Sequence, residues 1–363
     1  MAHSVLLAFG TRPEAIKMAP LWHELAAYDH LEPKILLTGQ HKEQLEQALE
    51  IFDLPVAQNL ALMQPRQTLP HLAGRMVPAL ADAMTDLKAE LVLVHGDTLT
   101  TFCAAWAAFL LGLPVGHVEA GLRSGSLREP FPEEANRLLT DRLCEMLFAP
   151  TEAAAENLRA EGVPAEHIFV TGQTAVDAVL MASTRGTLPK GLKTKGPYIT
   201  VTLHRRENWP LLPGLGRALA QLARRYPTYE FVCPLHLNPL VREALVPELT
   251  GLENVTLLEP LPYGEMAALM ARSTLLLTDS GGLQEEGASL GVPVAIARNV
   301  TERPEGLGGA LTLVGNEEES FFQKTCALLD DPARLARMAQ APNPYGDGKA
   351  SWRIASLVAK RWQ

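Results

Sequence analysis

Three acidic positions have the residue types and spacing for proton chemistry. His95-Gly96-Asp97-Thr98 and His117-Val118-Glu119-Ala120-Gly121 each close a short apolar run, and Glu133-Glu134 follows Pro130-Phe131-Pro132. In a parallel α/β sheet the ends of such runs face a ligand crevice, so Asp97 and Glu119 are expected to point into it. Carboxylates gathered in one place suit general acid and base work, because burial and mutual repulsion push their pKa values apart. Structural uses exist for some of them: Asp97 could cap a helix, and Glu133 and Glu134 could complement a helix dipole. Glu119 closes a strand and has no capping role.

Cations stand at comparable places. Gly10-Thr11-Arg12-Pro13-Glu14 puts Arg12 at a strand-to-helix turn, with Pro13 suited to the first helical position and Lys17 about one turn further on. Arg12 and Lys17 can bind phosphate or stand as solvated cations. Thr278-Asp279-Ser280-Gly281-Gly282 leads from an apolar run into a helix near Leu283, a layout that offers free backbone N–H groups to an anion. Glu286, four residues past Gly282, can accept from ribose hydroxyls; alternatively Glu285 and Glu286 complement the helix dipole. His204-Arg205-Arg206-Glu207-Asn208, His236-Leu237-Asn238-Pro239 and Thr301-Glu302-Arg303-Pro304-Glu305 follow further apolar runs, and their His and Arg side chains suit a diphosphate.

Such turns need elements to hold them. Val5–Phe9, Lys34–Thr38, Leu91–His95, Val115–Glu119 and Met146–Ala149 read as buried parallel strands with helical patterns between them. A second series follows with Tyr198–Thr202, Glu230–Leu235, Val255–Leu258, Leu275–Thr278 and Val294–Ala297. The expected organisation is α/β, with a Rossmann-like domain over 1–172, a second over 173–349, and a helix over 350–363 crossing back to the first. At 363 residues and 47% hydrophobic content, the chain exceeds the roughly 250–300 residues at which single cores stop growing.

A net charge of -9 opposes nucleic acid and anionic membranes, so an anionic ligand must be held locally. Cys103, Cys144, Cys233 and Cys326 are widely spaced and read as free thiols in a reducing compartment. The apolar run Phe102–Leu113 falls short of the roughly 18 residues a membrane span requires, and Val5–Phe9 is too short for a signal peptide; a cytoplasmic chain is expected. No dinucleotide fingerprint or metal-ligand spacing occurs, so neither NAD nor a metal is expected.

Taken in order, the runs Phe9–Lys17, His95–Thr98, Gly116–Arg123, Pro132–Glu134, His204–Asn208, His236–Pro239, Thr278–Glu286, Thr301–Glu305 and Asn343–Gly348 resemble the non-hydrolysing UDP-N-acetylglucosamine 2-epimerases of bacteria. The resemblance covers nearly the whole chain. It implies a GT-B-like pair of Rossmann-like domains with the ligand cleft between them, no cofactor, and interconversion of UDP-N-acetylglucosamine and UDP-N-acetylmannosamine for cell-surface polysaccharide. The implied route is anti elimination of UDP to 2-acetamidoglucal, then re-addition.

By position, Asp97, Glu119 and Glu133 match the family's catalytic carboxylates, and His204 joins them by contacting the diphosphate from the second domain. Arg12 and Lys17 would bind the diphosphate, Ser280, Gly281 and Gly282 would donate to phosphate, Glu286 would hold the ribose, and Arg303 would lie on the nucleotide side. Many members bind a second UDP-N-acetylglucosamine as an activator; the matching residues are Gln40, Arg66, Glu134, Arg205 and His236. A homodimer is the family precedent. Two departures are Lys42, followed by Glu43, where Arg is common, and Leu203, where many members carry a small residue. A GT-B glycosyltransferase, a hydrolysing epimerase and an inactive nucleotide-sugar sensor are the competing readings. The sensor is disfavoured because Asp97, Glu119 and Glu133 are all present.

Overall fold

The computed structural model describes residues 2–39, 42–64 and 66–362, without the side chains of residues 42–44. The alternation of apolar runs and amphipathic stretches folds as two parallel sheets flanked by helices. The first contains β1 (His3–Phe9), β2 (Leu31–Leu37), β3 (Val56–Asn59), β4 (Leu91–His95), β5 (Val115–Val118), β6 (Met146–Ala149) and β7 (Ile168–Val170), in the order β3-β2-β1-β4-β5-β6-β7. The second contains β8 (Tyr198–Thr202), β9 (Glu230–Pro234), β10 (Val255–Leu258), β11 (Ser273–Thr278), β12 (Val294–Ile296) and β13 (Leu311–Leu313), in the order β10-β9-β8-β11-β12-β13. Neighbouring strands pair in parallel throughout.

Helices α1 (Arg12–Ala26), α2 (Lys42–Ile51), α3 (Leu69–Asp86), α4 (Leu99–Leu110), α5 (Glu133–Leu143) and α6 (Glu152–Ala160) connect the first series, and α7 (Thr174–Arg185) leads into the second. Helices α8 (Leu212–Arg225), α9 (Pro239–Leu249), α10 (Tyr263–Ala271), α11 (Gly281–Ser289), α12 (Glu318–Leu329) and α13 (Pro332–Ala339) serve the second series before α14 (Ala350–Ala359). The chain divides into two compact units, one running to Ala178 and resuming at Asp347, the other spanning Val179–Gly346. In the first unit α14 packs on α1, with Tyr28 Oη 3.1 Å from Ser356 Oγ. Asp177 fixes the start of α14 by accepting from the backbone N–H groups of Ala350 and Ser351.

Each sheet has the Rossmann-like order in which the first and fourth strands lie side by side, so the fold is two Rossmann-like units of the GT-B-like class. The order reverses between β1 and β4, and again between β8 and β11; turns leaving the carboxyl ends of those strands are where this architecture holds ligands. Beneath them, Leu6, Ala8, Val92 and Val94 pack on Leu72, Met76, Leu80 and Ala104 in the first unit. In the second, Ile199, Val201, Leu275 and Leu277 pack with Leu215, Leu219 and Phe321, and Leu203 is drawn into the same core. Each such Leu, Ile, Val, Met or Phe side chain contributes about 1.5–3 kcal/mol by leaving water.

The structure adds β3, β7 and β13 to the ten expected strands, and the expected ones differ mainly at their ends. β5 stops at Val118, because Glu119 takes the left-handed conformation with φ 70° and so leaves the pleat. Two residues on, Gly121 has φ 81°, and a Cβ there would lie 2.3 Å from the Ala154 carbonyl oxygen, so both conformation and space require glycine.

Candidate active site

The turn after β1 is built as a capping box. Thr11 Oγ1 accepts from Glu14 N, and Glu14 Oε2 accepts from the backbone N–H groups of Gly10 and Thr11 at 3.1 and 2.7 Å. Helix α1 begins at Arg12, placing Pro13 one residue later than the first helical position expected for it. The other Glu14 oxygen accepts from Thr98 Oγ1 at 2.7 Å, tying the β1 turn to the β4 turn. Burial pushes the Glu14 carboxyl up, against the hydrogen bonds from Thr98, Thr11 and Gly10. Arg12, half-buried at the helix start, has no hydrogen-bond or ion-pair partner among the described residues.

An ionic chain crosses the ends of three strands. Lys17 Nζ lies 2.5 Å from Glu119 Oε2, and His95 Nε2 lies 3.7 Å from the same oxygen. Arg137 donates Nη1 to the Glu119 carbonyl and Nη2 to Asp97 Oδ2 at 2.5 Å, with Glu119 Oε1 3.5 Å away. Burial alone would raise the Glu119 pKa, but Lys17, His95 and Arg137 together hold it far below the usual carboxylate range. Glu119 is therefore a fixed anion. Burial holds His95 down to about 3, so it is neutral at physiological pH.

Asp97 is not a helix cap, since Thr98 Oγ1 takes that role for α4 by accepting from Thr101 N. Glu133 and Glu134 do occupy the first turn of α5. Glu134 is buried, its oxygens accepting from the Ser124 and Gly125 backbone N–H groups, whereas the Glu133 side chain has no partner among the described residues. Below this group His117, wholly buried, bridges Asp141 Oδ1 at 2.6 Å and the Gly96 carbonyl at 2.7 Å, and Asp141 also accepts from Arg123. The β4 and β5 turns are thus braced from underneath.

In the second unit the organising residue is Asp279, fully buried at the end of β11. It accepts from the backbone N–H groups of His204 and Arg205 and from Asn208 Nδ2, all within 3.1 Å. His204 stacks on His236 with ring centroids 5.3 Å apart, and burial lowers its pKa. Both line a cavity of about 520 Å³ with Arg205, Arg206 and Asn238. Arg205 is paired with Glu302 at 2.6 Å.

Ser280 caps α11 without a side-chain bond of its own, and Gly281 and Gly282 open the helix. A Cβ on Gly281 would meet Glu302 Oε1 at 2.6 Å, while Gly282 faces open space. Neither Glu285 nor Glu286 falls in the first turn, so the dipole explanation does not apply to them. Glu285 pairs with Arg303, and Glu286 Oε1 accepts from Tyr263 Oη at 3.4 Å. Arg66 is exposed with φ 58°, and Gln40 lies outside the described residues.

Arg137, Glu14, Asp141 and Asp279 carry much of this geometry, and sequence reasoning assigned them no site role. Two signals were there to be read: the Thr-x-x-Glu box at Thr11–Glu14, and Arg137 four residues after Glu133, on the same helix face. Among the described residues no group of three or more His, Cys, Asp or Glu side chains could hold a metal ion, the four cysteines are free and buried, and no helix is long and apolar enough to cross a membrane.

The family model described as UDP-N-acetylglucosamine 2-epimerase matches residues 23–359. The UDP-N-acetylglucosamine 2-epimerase of Neisseria meningitidis is 42% identical, over 98% of this chain and 99% of its own. That of Salmonella typhimurium is 44% identical over 98% of each. A crystal structure of UDP-GlcNAc 2-epimerase from Neisseria meningitidis bound to UDP-GlcNAc superposes with a TM-score of 0.89 at 41% identity, covering 98% of this chain and 100% of that one. With the family model spanning most of the chain and relatives 42% and 44% identical over 98% of it, the chain belongs to the UDP-N-acetylglucosamine 2-epimerase family, a family of isomerases.

Proposed function

We propose that this chain interconverts UDP-N-acetylglucosamine and UDP-N-acetylmannosamine by anti elimination of UDP and re-addition to 2-acetamidoglucal. The observation that carries the reading is the ionic chain Lys17–Glu119–Arg137–Asp97, which gathers two carboxylates and two cations where a Rossmann-like sheet holds its ligand. The proton at sugar carbon 2 is not acidified by a carbonyl, so its loss must accompany cleavage at carbon 1, and stabilising the departing diphosphate is a large part of the task.

Roles divide by electrostatics. Glu119, fixed as an anion, orients Lys17; Asp97, with one oxygen taken by Arg137, and Glu133, with none taken, are the proton carriers on the two faces of the sugar. Arg12 and Lys17 serve the diphosphate from the first unit. His204, Ser280, Gly281, Gly282, Glu286 and Arg303 serve the nucleotide from the second, where the open start of α11 favours phosphate. The test is isotope scrambling: with oxygen-18 in the bridge between sugar carbon 1 and phosphorus, elimination lets the label move into non-bridging phosphate positions during turnover. Turnover with the label still in the bridge would rule the route out.

The activator reading is supported by the family resemblance and by the stack of His204 on His236, which joins a diphosphate residue to an activator residue. It predicts that traces of UDP-N-acetylglucosamine accelerate conversion of UDP-N-acetylmannosamine; an unchanged rate counts against it. Homodimer formation is supported by exposed Trp106, Phe109, Leu110 and Leu111 on and just after α4, and a monomeric mass in sedimentation equilibrium would refute it. The buried free thiols suit a reducing cytoplasm, where the product would supply cell-surface polysaccharide. Loss of such polysaccharide on deletion of the gene checks that supply.

A further inference from the structure

Arg137 is the fifth residue of α5, one turn after Glu133, and is only 5% exposed. It lies where two strand-end turns meet. One terminal nitrogen donates to the Glu119 backbone carbonyl, and the other donates to Asp97 Oδ2 at 2.5 Å and lies 3.5 Å from Glu119 Oε1. The preceding residue, Asn136, donates Nδ2 to the Asp97 carbonyl at 2.9 Å. Asp97 is therefore gripped at both backbone and side chain, while its Oδ1 has no partner among the described residues.

A guanidinium is planar and holds its N–H groups in a fixed fork, so its two terminal nitrogens set the spacing of the acceptors they engage; an ammonium on a flexible stem cannot. Glu119 adds a reason for such a brace. Its φ of 70° is a conformation that residues with a side chain seldom adopt, and its carbonyl needs a donor to keep the turn in place. A buried arginine whose task was only to neutralise charge would need a carboxylate, not a backbone carbonyl from a second strand end.

We infer that Arg137 is a positioning residue for the epimerase reaction: its guanidinium fork fixes the Asp97 carboxylate against the Glu119 turn and leaves Asp97 Oδ1 as the oxygen offered to the sugar. The inference rests on the proposed role of Asp97 in proton transfer. Arg137 itself need not touch substrate.

The test is a double-mutant cycle in the full-length enzyme. Arg137→Met and Arg137→Lys are each made alone and with Asp97→Asn, and kcat, UDP affinity and melting temperature are measured for all. Each Arg137 substitution alone is expected to lower kcat roughly 10- to 100-fold, the worth of one charge-assisted hydrogen bond, with little change in UDP affinity. In the Asp97→Asn background the same substitutions should lower kcat by less than about threefold, because the group they position has lost its function. Equal losses in both backgrounds would mean a general structural role and overturn the inference, as would wild-type kcat in both single variants. Should Arg137→Met fail to fold, the Arg137→Lys cycle decides by the same criterion. Wild-type turnover in Asp97→Asn alone would overturn the reading of Asp97 itself, and the single variant reveals that separately.

Discussion

The neutral, buried His95 makes stability depend on pH in a way that can be worked through. His95 ends β4 with 3% of its surface exposed, and its Nε2 makes no hydrogen bond among the described residues. Burial lowers its pKa to about 3 from the ordinary 6.5; Lys17, His117 and Arg137 add to the lowering, and Glu119 opposes it. In the unfolded chain the ring takes up a proton near 6.5, so below that pH the unfolded state binds a proton that the folded state does not. Its contribution is complete above pH 6.5 and is lost progressively as pH falls towards 3.

By pH 5 the loss from this one group is about 2 kcal/mol, and any folded-state value below about 4 gives the same figure. Continued to pH 3 it reaches about 4 kcal/mol. His95→Gln keeps a polar side chain and removes the titration. Guanidinium unfolding of both proteins at pH 8 and pH 5 should show the wild type losing about 2 kcal/mol more than the variant over that interval. Equal losses would mean that His95 is hydrated or protonated in the folded protein, and the ionic cluster around Glu119 would have to be redrawn.

Further outcomes follow from the same geometry. Arg12→Ala and His204→Ala should each weaken UDP binding by roughly 1.5–3 kcal/mol, the scale of a charged hydrogen bond, as read by titration calorimetry; unchanged affinity in both removes the diphosphate assignment. Asp97→Asn and Glu133→Gln should fold and bind UDP yet turn over roughly a hundredfold or more slowly, with free UDP and 2-acetamidoglucal appearing if only one face is disabled. Near wild-type rates in both would shift the proton chemistry to another group. Turnover should survive dialysis against a chelator and need no added NAD; full loss that metal restores would contradict this.

The parts of the fold legible in the sequence are those where burial is complete. Leu91–Val94 and Tyr198–Thr202 are continuous runs of apolar or β-branched residues, and the strands that contain them fold as expected. β3, β7 and β13 are hard to read because they are only three or four residues long and largely half-exposed or exposed; even the apolar Ile168-Phe169-Val170 of β7 is shorter than the runs that mark a strand. Glu119 reads as part of its strand because nothing local signals that a residue with a side chain will turn left-handed there.

The site was legible as a set of turns but not as a network. Lys17 and Glu119 are 102 positions apart, and only the adjacency of β1, β4 and β5 brings them together. Arg137 and Asp279 were hidden for a different reason. A basic residue on an amphipathic helix ordinarily reads as a solvated face, and an Asp after a strand as a cap; their buried partners come from distant segments.

The most direct test of the account is to incubate the chain with UDP-N-acetylglucosamine alone in deuterium oxide and follow sugar carbon 2 by NMR. Elimination and re-addition predict that UDP-N-acetylmannosamine appears carrying deuterium at carbon 2, and that the recovered UDP-N-acetylglucosamine gains the label as the two approach equilibrium. Interconversion with the original proton retained at carbon 2, or no UDP-N-acetylmannosamine at all, would contradict it.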